Sequence, residues 1–130
     1  MVVTVRDVTA FFEDPDAALE RIQADIRAAQ RRAELAADFK ETVDAVRGHA
    51  RSPRGEVLAE VDAAGQLVDL RLSDGATEMV ARDLSTLILA TVRAAATDAA
   101  RQTLSVTAQA FGEQSAVTEQ MRAELAPRLG

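Results

Sequence analysis

Residues 52–75 read SPRGEVLAEVDAAGQLVDLRLSDG, and this stretch decides the fold. Val57, Ala59 and Val61 alternate with Glu56, Leu58, Glu60 and Asp62. After Ala64-Gly65, Val68, Leu70 and Leu72 alternate with Leu67, Asp69 and Arg71. Alternation of this kind puts one set of side chains on each face of a strand, so both runs predict half-buried strands. Just upstream, Val46, Gly48 and Ala50 alternate with Arg47, His49 and Arg51, which predicts a third strand. Ser52-Pro53-Arg54-Gly55 and Ala64-Gly65 carry the turn chemistry between them.

Turn centres at Pro53-Arg54 and Ala64-Gly65 define a register. The first sets Ala50 opposite Val57, Gly48 opposite Ala59 and Val46 opposite Val61. It also sets Arg51 opposite Glu56 and Arg47 opposite Glu60, pairs that would neutralise both arginines. The second sets Val61 opposite Val68, Ala59 opposite Leu70 and Val57 opposite Leu72, with Glu60 facing Asp69. All apolar positions then share one face, as expected of an antiparallel β-meander covered on one side.

Outward from the meander, the pattern changes to that of helices. Asp14-Pro15-Asp16 has an N-cap residue, a proline at the first helical position and an acid in the first turn. Leu19, Ile22, Ile26, Ala29, Ala33 and Ala36 follow at steps of three and four, so a helix is expected over 15–42. Such a helix is about 40 Å long at 1.5 Å per residue, whereas a strand of five or six residues covers about 17–20 Å. The strands cannot cover the whole seam, and Leu19, Ile22 and Ile26 are expected to meet a second copy of the chain. Beyond the meander a second helix is expected from Thr77, clearest from Asp83, with the stripe Val80, Leu84, Leu87, Ile88, Val92, Ala95 and Ala99. Gly112 should end it, and Val117, Met121 and Leu125 predict a weak final helix closed by Pro127. The expected fold class is therefore α+β: long helix, three-stranded antiparallel meander, long helix.

Composition narrows the function. The chain of 130 residues is one domain's length and has no cysteine, which excludes disulfides and thiolate chemistry. No signal peptide or membrane span is indicated, so the expected location is cytoplasmic. The only histidine, His49, lies between Arg47 and Arg51, an unfavourable setting for a metal. Carboxylates are spread at solvating intervals, and no phosphate-binding glycine loop, nucleophile elbow or zinc signature occurs. Neither an enzyme nor a cofactor is expected.

Net charge is −6, which argues against indiscriminate binding of nucleic acid but permits a local basic face. Two windows contain no acid: Ile26 to Ala33, with Arg27, Arg31 and Arg32, and Ala45 to Gly55, with Arg47, Arg51 and Arg54. Arginine matches phosphate geometry well, so Arg27, Arg31, Arg32, Arg51 and Arg54 are the candidate contacts to DNA.

The segment VRGHARSPRGEVLAEVDAAGQLVDLRLSDGA, 46–76, followed by DLSTLILATVRAAATDAARQ, 83–102, resembles the YbaB/EbfC family of bacterial nucleoid-associated proteins. With the first helix, the likeness covers roughly 15–110. The arginine and alanine bias fits a GC-rich, actinobacterial member. The resemblance implies a domain over 15–111, flanked by an N-terminal extension, 1–14, and a C-terminal tail, 112–130. It further implies a homodimer with projecting helical arms that binds double-stranded DNA with little sequence preference in the nucleoid. The acidic, almost lysine-free composition departs from the family's DNA binders. Relatives of this shape also occur among type VII secretion-associated proteins, so a protein-interaction or accessory module is the alternative.

Overall fold

The computed structural model describes residues 14–130. Its elements are α1 (Pro15–Asp44), β1 (Arg47–Arg51), β2 (Val57–Asp62), β3 (Leu67–Leu72), α2 (Asp74–Thr77), α3 (Ala81–Phe111) and α4 (Ala116–Leu129). The expected long helix, antiparallel meander and long helix are present in that order, and the sheet runs β1-β2-β3. The chain divides into two compact units, Met1–Asp38 and Phe39–Gly130.

In the first unit, Asp14 caps α1: its Oδ1 accepts the Ala17 amide at 3.2 Å. The apolar seam that follows is open. Leu19 is 46 % exposed and Ile26 44 %, while Ile22 is half-buried. The N-terminal extension, 1–13 apart from Asp14, lies outside the described residues.

In the second unit the core forms where α3 lies over β1 and β2. Val46, Ala59, Val61, Ala95 and Ala99 are its buried members, with Leu70 and Val92 packed against them. Alternation along β2 is carried through as burial: Val57, Ala59 and Val61 are inside and Leu58 outside. The end of α1 joins this unit by an edge-to-face contact between Phe39 and Phe111, whose ring centroids are 5.0 Å apart at 72°.

The first hairpin departs from the expected register by two residues. Ala50 pairs with Ala59, Gly48 with Val61 and Arg51 with Leu58. Proline cannot take the positive φ that a tight two-residue hairpin turn demands, so the connection opens into a longer loop. Ser52 closes it: its amide donates to the Val57 carbonyl at 2.9 Å, and its Oγ accepts the Val57 amide at 3.0 Å. Gly55 supplies the left-handed position, with φ 76°. A shift of two leaves every side chain on its expected face.

The second hairpin keeps the expected pairs Val57–Leu72, Ala59–Leu70 and Glu60–Asp69. A bulge then sets Val61 opposite Leu67 rather than Val68. Gly65 has φ 83°.

Helix boundaries differ in two places. The expected start at Thr77 falls instead in the short α2, and α3 begins at Ala81 after an extended Val80. Gly112 ends α3 as expected, with φ 97°. Pro127, expected to close the last helix, lies inside α4. Tertiary contacts hold that end: the Thr97 hydroxyl donates to the Arg128 carbonyl at 2.6 Å, and the Arg128 guanidinium donates to the Ala63 carbonyl at 2.9 Å. The C-terminal tail is thus a helix packed on α3, whose buried residues include Ala100, Thr103 and Thr107. Thr103 and Thr107 return their hydroxyls to the carbonyls of Ala99 and Thr103, so burial leaves neither group unsatisfied.

Candidate nucleic-acid interface

The five candidate arginines fall in different units. Arg27, Arg31 and Arg32 lie on α1 within the first, and all three are exposed. Arg27 and Arg31 are one helical turn apart and share a face. Arg51 ends β1 and Arg54 sits in the loop after it; both are exposed. The Arg51 side chain lies over Gly55, where a side-chain carbon would fall 2.8 Å from its Nε. That loop can bring the guanidinium so close only because Gly55 has no side chain.

The neutralising pairs expected of this patch are not the ones that form. Arg51 faces Leu58 instead of Glu56, and Arg47 faces Asp62 instead of Glu60. Glu60 is taken by His49, whose Nε2 lies 2.8 Å from Glu60 Oε1. Asp69 is taken by Arg71, at 2.9 Å. Arg47 turns back to the end of α1, donating to the carbonyls of Asp44 at 3.0 Å and Val46 at 2.7 Å. A cation there satisfies carbonyls that a helix end leaves without partners. Among the described residues, no carboxylate lies within salt-bridge distance of Arg27, Arg31, Arg32, Arg51 or Arg54.

One further arginine joins the second group. Arg82, in the first turn of α3, lines a shallow groove with Pro53, Arg54 and Glu56. Asp83 beside it in sequence hides it from a search for acid-free windows. Among the described residues no cluster of carboxylates and histidine has the arrangement of a metal site.

This order of elements, with exposed arginines on α1 and on the β1–β2 loop, invites comparison with proteins of known family. The sequence model of the YbaB/EbfC DNA-binding family matches residues 19–114. The chain belongs to the YbaB/EbfC DNA-binding family. The match includes all five candidate arginines and ends before α4, which lies beyond it. No curated protein gave a match to the chain. The family is one of DNA-binding, nucleoid-associated proteins rather than of enzymes. No helix among the described residues is long and apolar enough to cross a membrane.

Proposed function

We propose that this YbaB/EbfC member is a non-enzymatic homodimer that binds duplex DNA in the bacterial nucleoid, with little sequence preference. The observation that carries the reading is the state of the arginines. Arg27, Arg31, Arg32, Arg51 and Arg54 are exposed and have no carboxylate partner among the described residues, in a chain of net charge −6. Contacts from arginine to phosphate position a protein on DNA without reading its sequence, which accounts for the low preference. The open seam of Leu19, Ile22 and Ile26 supports self-association, since long apolar stripes are poorly tolerated in water. Cytoplasmic location follows from this role.

A gel shift of the full chain with unrelated duplexes, at stepped salt, tests the proposal. Two copies offer about ten phosphate contacts from these unpaired arginines, so log K should fall against log salt with a slope of up to about −9, at about 0.9 per contact. Binding should be weak because the rest of the surface is acidic. The net charge of −6 favours a second reading, a module that binds a protein partner through the same dimer. Failure to shift any duplex at about 50 mM salt, where phosphate contacts are strong, would leave that reading standing.

A further inference from the structure

Leu58 is exposed on the face of the sheet opposite α3, and two arginines flank it. It pairs with Arg51 on one side and with Arg71 on the other, so the three share one row across the strands. With strands about 4.8 Å apart, the Cα atoms of the two arginines stand about 10 Å from each other. The same three residues line one groove. No carboxylate stands in this row; the acids fall in the next one, His49–Glu60–Asp69. The cations continue past Arg51. Its side chain lies over Gly55 of the β1–β2 loop, and between that loop and α3 the groove lined by Arg54 and Arg82 opens. Four arginines thus follow one another from β3, over the loop, to the first turn of α3.

The charges around this band are already placed. Arg51, Arg54 and Arg82 have no carboxylate partner among the described residues. Glu60 is held by His49, and Glu56 accepts the Ser52 hydroxyl at 3.4 Å. Asp83 lies in the first turn of α3, where the helix dipole favours an acid. Arg71 is the one paired member, with Asp69 at 2.9 Å. Both partners are exposed, and ion pairs of that kind hold weakly. We infer that Arg71 and Arg82 are further contacts to DNA: with Arg51 and Arg54 they follow one phosphate backbone over the end of the sheet, and Asp69 competes with phosphate for Arg71. This rests on the DNA-binding reading and adds where on the second unit the backbone lies. Phosphates of one strand repeat about every 3.4 Å along the duplex axis, so arginines about 10 Å apart meet different phosphates. Contacts of this type are blind to base sequence.

The test titrates full-length variants with two unrelated duplexes at stepped salt. Arg71→Gln and Arg82→Gln should each weaken binding to both duplexes on the order of tenfold. Each should also make the salt slope shallower by about 1.8, from two copies at about 0.9 per contact. Arg122→Gln removes the same charge from α4, where Glu113 and Glu119 hold it, and should leave the slope unchanged. Asp69→Asn should tighten binding, and the gain should vanish once Arg71→Gln is added, since the carboxylate acts through that arginine. Asp69, Arg71 and Arg82 are exposed, and circular dichroism should show the fold retained. A wild type that binds, with Arg71→Gln and Arg82→Gln keeping its slope, overturns the band alone. An Asp69→Asn gain that persists without Arg71 overturns the competition. A wild type that shifts no duplex at about 50 mM salt, where phosphate contacts are strong, overturns the DNA-binding reading with the band and leaves these arginines to a protein partner.

Discussion

Gly48 of β1 lies against Ala99 of α3 with no room for a side chain between them. A Cβ at Gly48 would fall 2.6 Å from the Ala99 amide nitrogen and 2.7 Å from the Ala99 Cβ, and would also strike the Ala95 carbonyl. The alanines of α3 and this glycine together let helix and strand approach at backbone distance. Gly48→Ala should therefore push them apart and cost about 1–3 kcal/mol, the usual range for overpacking. A thermal melt should show a drop of several degrees, and an unchanged midpoint would contradict the close contact.

The β2–β3 turn depends on Gly65, whose φ of 83° is strained for any side chain with a β-carbon. Gly65→Val should destabilise by about 1–3 kcal/mol, beyond the roughly 0.5 kcal/mol typical of a surface change. Denaturant unfolding of the two proteins measures the difference. Equal midpoints would mean that valine fits the turn.

Phe39 and Phe111 hold the end of α1 to the end of α3. Truncating either to alanine should weaken this junction. A double-mutant cycle should return a coupling of about 0.5–1.5 kcal/mol, as measured for aromatic pairs. Additive losses would show that the two rings act separately.

Ile26 is 44 % exposed on the apolar seam of α1. Ile26→Asp should put a charge into a contact between copies and shift sedimentation towards monomer or aggregate, while the secondary structure is kept. A variant that associates as the wild type does would remove the seam from the interface.

Arg31→Glu combined with Arg32→Glu should abolish DNA binding and leave the dimer intact, since both side chains are exposed and unpaired with any described carboxylate. Charge reversal converts attraction for phosphate into repulsion at two neighbouring points on each copy. Undiminished gel shifts would place the interface elsewhere.

The hairpin register shows how far local pattern reaches. Alternation at Val57, Ala59 and Val61 was enough to assign faces, because parity survives a shift of two. It could not count the loop: Pro53 excludes the tight turn, and the buried Ser52 side chain closes a longer one. The fate of the arginines followed from that count. Arg51, expected to face Glu56, faces Leu58, and His49 takes Glu60 in its place. Arg82 beside Arg54 was hidden for a different reason, since their proximity in the groove joins segments distant in sequence.

What the sequence determined by itself was periodic or stereochemical: the order of helix, meander and helix, the buried face of β2, the cap at Asp14, and the glycines at 65 and 112. Each depends on neighbours within a few residues, where 3.6- and two-residue periods and the φ limits of glycine act directly. Only the tertiary structure decided which charges meet, why α4 continues through Pro127, and how α3 closes the β1 edge of the sheet. Those outcomes depend on contacts across long spans of chain. Thr97 and Ala63 hold Arg128, while Asp98 and Gln102 reach over β1 to its main-chain groups. Such contacts exist only once α3 has packed against the sheet.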